Sequence, residues 1–133
     1  MKVTELMIGD WVNSDFGIFQ INEIFEDAVR DSRGNDYEFD CIHPILLTGD
    51  ILKNNGFELV DIGDNGPATP KVNFNRYEKW ECKTMFQDSY LSYDRRAKNC
   101  SLNAFGNHIS QIRYVHELQN AMRVCGVKKE IEL

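Results

Sequence analysis

The sequence predicts an α+β protein, mostly antiparallel β, with a small N-terminal SH3-like barrel or meander, a short connecting helix and a C-terminal sheet packed by one amphipathic helix. Three observations predict this class. Short runs of β-branched and aromatic residues alternate with turn residues along the chain. One short segment between the two halves carries both a helix start and a helix stop signal. Apolar residues recur at helical spacing near the C-terminus.

Residues 1–45 are predicted to form the small β-barrel-like unit. The run 18–25 is rich in β-branched and aromatic residues and is flanked by turn residues, which favours a strand pair. A further strand is expected after the turn at 31–36, where one face carries Tyr37, Phe39 and Cys41 and the other carries Glu38, Asp40 and Ile42. Pro44 ends the unit, since proline cannot continue a central strand.

Residues 46–60 are predicted to hold the connecting helix and a strand. Thr48 can cap a helix over 49–55, and Gly56 suits the position that follows it, where the backbone often turns left-handed. Residues 61–70 contain two of the three prolines of the chain. They are therefore predicted to be a loop.

Residues 71–133 are predicted to form an antiparallel sheet with one solvated face, followed by a helix over 114–125. The apolar stripe of this helix and one tryptophan supply the predicted structural core: Trp11, Leu118, Met122 and Cys125. The other side of the helix is expected to be a solvated polar face: His116, Gln119, Asn120 and Arg123.

The composition is that of a folded chain in a reducing compartment. Apolar residues are 42% and charged residues 27% of the 133, too apolar for a disordered chain. The longest apolar run, 45–47, is far shorter than the ~20 residues that span a bilayer, and the N-terminus lacks the pattern of a secretory signal. The four cysteines show neither zinc-knuckle nor disulfide-framework spacing, so reduced, mostly buried thiols and a cytoplasmic location are expected.

The two halves of the chain carry opposite charge. Residues 1–66 hold four bases against fourteen acids, a net charge of −10, and residues 67–133 hold eleven bases against seven acids, a net charge of +4. This layout is typical of two parts of one fold that attract each other, of a self-association device, or of a basic ligand-facing half beside an acidic one.

A His-Glu-x-x-Asn string in the terminal helix is the first candidate site. Zinc hydrolases carry His-Glu-x-x-His on a helix, because imidazoles at i and i+4 share one face and the Glu polarises the attacking water. Here the fifth position is Asn120, and an amide binds zinc poorly. No catalytic residue, metal or cofactor is therefore predicted. The weak metal candidates, which would belong to a metal-dependent hydrolase with a degenerate motif, are His116, Glu117 and His108.

The basic aromatic stretch 71–98 is the second candidate site. Sheets that bind single-stranded nucleic acid use exposed aromatic rings and cations. Acidic residues dilute this stretch, and the isoelectric point of about 5.0 is low for such a protein. Nucleic acid is thus disfavoured but stays an alternative. The residues that would bind it, or another partner, are Arg76, Lys79, Trp80, Arg95, Arg96 and Lys98.

Three stretches, 5–12, 45–57 and 114–126, together about a quarter of the chain, resemble a group of short uncharacterised cytosolic proteins of gut anaerobic bacteria and their phages or mobile elements. Members of that group often carry His at the position of Asn120. The resemblance implies a cytosolic, phage or mobile-element context and no chemistry. The expected function is a non-enzymatic binding or adaptor module that can self-associate, with a protein partner or a second copy of itself.

Overall fold

The computed structural model describes residues 1, 3–63, 77–82 and 89–133. Single turns of 3-10 helix lie at Val3–Glu5 and Phe39–Cys41. The strands and helices of the described part are β1 (Trp11–Ser14), β2 (Gly17–Gln20), β3 (Glu23–Ile24), β4 (Ala28–Arg30), β5 (Asp36–Glu38), β6 (Ile42–His43), α1 (Gly49–Asn54), β7 (Phe57–Gly63), β8 (Tyr77–Cys82), β9 (Tyr90–Asp94), β10 (Asn99–Ala104), β11 (Asn107–Ile112) and α2 (Val115–Val124).

The strands form three antiparallel sheets, so the α+β and mostly antiparallel class predicted from the sequence is confirmed. Two sheets of three strands, in the orders β2-β1-β6 and β3-β4-β5, make up the N-terminal part. A five-stranded sheet in the order β11-β10-β9-β8-β7 makes up the C-terminal part. None of the described sheets closes into a barrel, and β3-β4-β5 is a simple meander.

The connecting helix has the ends that its sequence predicts. The Thr48 hydroxyl accepts a hydrogen bond from the backbone N–H of Ile51 at 3.3 Å, which satisfies a free donor of the first turn. Gly56 follows the helix with a φ of +83°, a left-handed conformation that glycine adopts without strain. The short helix α1 is therefore specified by its two flanking residues.

The predicted loop at 61–70 begins later than expected. Strand β7 continues to Gly63, with Asp61 opposite Lys79 and Gly63 opposite Tyr77 of β8. Pairing with a neighbouring strand outweighs the turn preference of these residues. Residues 64–70 of the predicted loop lie outside the described residues.

The buried apolar residues form two cores. The smaller one consists of Leu6, Val12, Phe19, Ile21, Val29 and Ile42. The larger one is built from residues between Leu47 and Ile131, on α1, α2 and the five-stranded sheet. Leu118, Met122 and Cys125 are buried in it as predicted, and Trp11 is half-buried against it. No described helix is long and apolar enough to span a bilayer.

Candidate functional site

The polar side of α2 is buried against the N-terminal segment. Gln119 is 2% exposed; its Oε1 accepts a hydrogen bond from the backbone N–H of Trp11 at 2.9 Å, and its Nε2 donates to the carbonyl oxygen of Gly9 at 3.0 Å. His116 is also 2% exposed. The prediction of a solvated polar face is therefore wrong for both residues. Gln119 is buried because backbone groups near the start of β1 need polar partners, whereas His116 is buried beside the side chain of Glu5.

Asp10 is completely buried and is held by Arg123 of α2. Nη1 of Arg123 lies 2.7 Å from Oδ1 of Asp10, and Oδ2 accepts the backbone N–H of Met7 at 2.9 Å. Burial raises the pKa of Asp10, and the hydrogen bonds from Met7 and Arg123 oppose this rise. Gly9 has a φ of +93°, and a Cβ there would lie 2.9 Å from the guanidinium, so a side chain at this position would meet Arg123.

The pair between Arg123 and Asp10 also joins the two oppositely charged halves. Every other Lys or Arg ion pair between described residues lies within one half, as Arg30 with Asp36 does. The attraction between the halves is thus concentrated, in the described part of the chain, at one buried contact with α2.

The three stretches that carry the resemblance meet around α2. The segment 5–12 is bound by Gln119 and by Asn120, whose Nδ2 donates to the carbonyl oxygen of Glu5 at 3.0 Å. The segment 45–57 is bound at the start of the helix, where the N–H of Val115 donates to Ile45 at 2.8 Å. All three stretches therefore contribute to the junction of the two cores.

His116 faces a carboxylate rather than a second imidazole. Its Nε2 lies 3.9 Å from Oε2 of Glu5, and its buried Nδ1 has no hydrogen-bond partner in the described part. Burial lowers the pKa of His116, and the negative charges of Asp10, Glu117 and Glu5 oppose this shift because they favour the protonated ring. The ring lines a pocket of about 370 Å³ with Glu5 and Ser110.

The other two weak metal candidates do not complete a site. Oε1 of Glu117 accepts the backbone N–H of Arg113 at 3.1 Å and of Tyr114 at 3.0 Å, so this carboxylate caps α2. His108 lies in the β10–β11 hairpin, where its Nδ1 is 2.7 Å from Oδ1 of Asn103. Among the residues that the structure describes, no three His, Cys, Asp or Glu side chains are placed to hold a metal.

The cysteines are free thiols, and three of the four are buried, as expected from the sequence. Burial raises the pKa of the Cys100 thiol to about 12 and also raises that of Cys125. At neutral pH Cys100 is protonated, which removes its nucleophilic form. Cys41 is exposed.

The basic aromatic stretch keeps few of its candidate residues at the surface. Trp80 is 3% exposed and belongs to the larger core, so its assignment to a binding surface is wrong: the ring faces inward, where it buries apolar area. Arg95 is held by Glu78, with Nε and Nη2 at 2.8 and 2.6 Å from the same carboxylate oxygen. Lys79 lies 3.6 Å from Glu81 and over the ring of Tyr90. The remaining candidates are Arg96 and Lys98, both exposed in the β9–β10 turn, and Arg76, which lies outside the described residues.

A cleft that sequence reasoning missed lies between two turns of the N-terminal part. Phe16, at the tip of the β1–β2 hairpin, is 91% exposed. Two adjoining cavities of about 680 and 390 Å³ share Phe16, Arg33 and Tyr37 in their walls. We call these two cavities the Phe16 cleft. The sequence signal was a phenylalanine inside a turn, between Asp15 and Gly17, where polar residues are usual.

The far wall of the Phe16 cleft is a turn whose backbone and side chains are hydrogen-bonded to Asp31. Oδ1 of Asp31 accepts the backbone N–H groups of Arg33 and Asn35, and Oδ2 accepts the Asn35 side chain and the Tyr37 hydroxyl, all within 3.1 Å. Burial tends to raise the pKa of Asp31, but these hydrogen bonds outweigh it and the pKa is lowered. The floor is formed by the rings of Phe19 and Tyr37, stacked with centroids 4.2 Å apart.

The surface around the Phe16 cleft is acidic. Residues 1–45 carry ten acids and three bases. One of these bases, Arg30, forms ion pairs with Glu23 and Asp36. Five exposed carboxylates make no ion pair within the described residues: Asp15, Glu26, Asp27, Glu38 and Asp40. One of them, Glu38, lines the cleft, and Asp15 lies next to Phe16 in the chain. Arg33 is the base among the lining residues.

Compared with family models, curated proteins and solved structures, the chain matches none of them.

Proposed function

We propose that the protein is a non-enzymatic binding module and that the Phe16 cleft is its docking site for a positively charged polypeptide. The observation that carries this proposal is the exposure of Phe16, whose ring stands 91% exposed beside a cleft with aromatic walls. Aromatic residues and arginine are enriched at protein–protein interfaces, and Phe16 and Arg33 line both cavities of this cleft. The unpaired carboxylates around the cleft favour a basic partner.

The described candidate catalytic groups support a binding role rather than an enzymatic one. Glu117 is used as a helix cap, Gln119 and Asn120 bind backbone groups, and Cys100 is held in its thiol form. These contacts stabilise the fold, and the one carboxylate that lies within 4 Å of the His116 ring nitrogens among the described residues is that of Glu5.

Nucleic acid is the weaker alternative. Phosphates would be repelled by the carboxylates of the N-terminal part. Of the candidate cations in the described part, Arg96 and Lys98 are the two that carry no ion pair there. Arg96 and Lys98 lie in the β9–β10 turn. Because the acidic N-terminal part could bind these cations, a second copy of the chain is also a candidate partner. We also propose that the protein is cytoplasmic, because its cysteines are free thiols, and that it is encoded by a phage or mobile element, because of the resemblance described above.

Selection from a random peptide library tests the function. We expect the protein to enrich peptides with a positive charge, and Phe16→Ala to abolish their binding. Because the ring is 91% exposed, this substitution should change the free energy of unfolding by less than about 0.5 kcal/mol. Phe105→Ala, which truncates the aromatic residue of another hairpin tip, is the matched control and should leave binding intact.

Three outcomes would contradict the proposal. The selection could enrich no peptide, the enriched peptides could be acidic, or their binding could survive Phe16→Ala. A single-stranded oligonucleotide that binds at micromolar concentration in ~0.15 M salt, and loses binding on Arg96→Ala, would instead support the nucleic-acid alternative. Concentration-dependent self-association lost on Phe16→Ala would identify a second copy as the partner.

A further inference from the structure

We infer that the partner enters the Phe16 cleft as an extended strand and pairs with the edge of β2 to which no described strand is bonded. The inference rests on the proposed function and adds the mode of binding and the sequence pattern of the partner. In strand addition, main-chain hydrogen bonds to an exposed edge supply affinity, and pockets for alternate side chains supply specificity. The N-terminal part shows both requirements.

The first requirement is a strand edge with free backbone groups. Strand β2 pairs with β1 on one side and lies at the edge of its sheet. Both backbone groups of Ile21, just after β2, point towards β1, since its N–H donates to Asp10 at 2.9 Å and its carbonyl accepts from Gly9 at 2.7 Å. In an antiparallel ladder this direction alternates along the strand. The N–H and C=O groups of Ile18 and Gln20 therefore point outward, and no described residue bonds them.

The second requirement is open space along that edge. The cavity of about 390 Å³ is lined by all four residues of β2 and, opposite them, by residues 31–33 and Tyr37. It touches both faces of the strand: Ile18 and Gln20 share one face, and Phe19 lies on the other. The cavity thus reaches around the edge of β2, where an added strand would lie.

The side chains around this edge define the pattern of the added strand. Phe16 is 91% and Ile18 is 53% exposed, and both offer apolar surface. The side chains that line the two cavities include three carboxylates, of Asp31, Asp36 and Glu38, against one base, Arg33. Of the three carboxylates, that of Glu38 has no ion pair or hydrogen-bond partner in the described part, and Asp15 adds a further carboxylate next to Phe16 in the chain. Alternate residues of a strand point to opposite sides. A segment in which apolar and basic residues alternate would place one set on Phe16 and Ile18 and the other towards the carboxylates.

Two synthetic octapeptides with blocked ends test the inference. One alternates Val and Lys, and the other alternates Val and Glu. Fluorescence polarisation should show binding of the Val/Lys peptide and none of the Val/Glu peptide. Ile18→Pro removes one outward N–H and leaves the β1–β2 hydrogen bonds in place, since proline is tolerated where the N–H faces away from the ladder. Ile18→Ala, which truncates the side chain and keeps the N–H, is the matched control. We expect the proline variant to bind about tenfold more weakly than the alanine variant.

A second measurement does not depend on the fold of the proline variant. Two further Val/Lys peptides keep all side chains but carry N-methyl groups, one on every Val and the other on every Lys. Because only alternate N–H groups of an added strand point at β2, one of the two should bind the unchanged protein more weakly than the unmethylated peptide. Binding of both methylated peptides equal to that of the unmethylated peptide would overturn strand addition. Preference for the Val/Glu peptide, or no binding of either peptide at 1 mM, would also overturn the inference. If peptides selected from the library still depend on Phe16 in those cases, the proposed function stands without this mode of binding.

Discussion

At the scale of single residues, Gln119 shows why a polar residue on a helix need not face water. Its side-chain amide offers a donor and an acceptor, and both are used 108 and 110 positions away along the chain, on Trp11 and Gly9. The amide therefore satisfies the backbone N–H of Trp11 and shares the carbonyl of Gly9 with Nε2 of Gln20, which donates to it at 2.8 Å. A polar residue in this position acts as part of the core.

Gln119→Ala tests this role. The substitution leaves the N–H of Trp11 without a partner, while the carbonyl of Gly9 keeps its hydrogen bond from Nε2 of Gln20 at 2.8 Å. Because an unsatisfied buried group costs about 1–3 kcal/mol, we expect a loss of about 1–3 kcal/mol in the free energy of unfolding. Urea denaturation measures it. Val124→Ala on the exposed side of the same helix is the control and should change stability by less than about 0.5 kcal/mol. Equal effects of the two substitutions would show that Gln119 is not a structural contact.

At the scale of elements, the β10–β11 hairpin forms with an unfavourable residue in its turn. Phe105 has a φ of +52° and Gly106 a φ of +78°, the pair of positive values that a two-residue turn of type I′ requires. Asn or Gly is preferred at the first position, because a bulky side chain is strained there. The strand pairing of Ala104 with Asn107 and of Asn103 with His108 imposes the turn on Phe105.

Phe105→Asn is therefore expected to stabilise the protein by about 1 kcal/mol, since asparagine adopts positive φ with less strain. Thermal unfolding followed by circular dichroism measures the effect. Phe105→Ala removes the ring but keeps a Cβ that resists positive φ, so it should not give this gain. An asparagine variant less stable than the parent would mean that the ring contributes more by packing than it costs by strain.

At the scale of the whole molecule, α2 is the element that joins the two cores. Its apolar stripe packs into the larger core, and its polar side binds the segment that leads into the smaller core. The pair between Arg123 and Asp10 is the charged part of this junction. The carboxylate of Asp10 is completely buried, and the guanidinium of Arg123 stabilises its ionised form.

Arg123→Met should lower stability by about 3 kcal/mol at neutral pH, because it leaves a buried carboxylate unpaired. The loss should be smaller at pH 5 than at pH 8. Burial already raises the pKa of Asp10 above 3.8, and removal of the guanidinium raises it further. A carboxyl whose pKa is higher in the folded state binds its proton more tightly there, so stability falls as pH rises through that raised pKa.

Urea denaturation at the two pH values measures this dependence. Arg30→Met, which breaks a surface pair with Asp36, is the control and should give a much smaller loss with little change between pH 5 and pH 8. A loss for Arg123→Met that is equal at both pH values would show that Asp10 is not ionised against this arginine.

Local sequence determined the parts of the fold whose causes lie within a few residues. Helix α1 follows from Thr48 and Gly56, and the apolar stripe of α2 follows from the spacing of Leu118 and Met122. In both cases the groups concerned are three or four positions apart, as Thr48 is from Ile51, Lys53 from Gly56 and Leu118 from Met122. At this separation residue spacing indicates which side chains are neighbours in space.

Tertiary structure alone determined which polar side chains are buried and where the candidate site lies. The helical spacing places the polar side chains of Gln119 and His116 opposite the apolar stripe. Whether they are exposed to water or buried depends on the N-terminal segment, more than a hundred residues away in the chain. Trp80 reads as an exposed aromatic in the sequence and is buried because of the strand order β9-β8-β7. The Phe16 cleft arises where the turn of one sheet faces the edge strand of another. The physical reason is the same in each case: burial and cleft formation are properties of chain packing, and sequence spacing carries no information about contacts between distant segments.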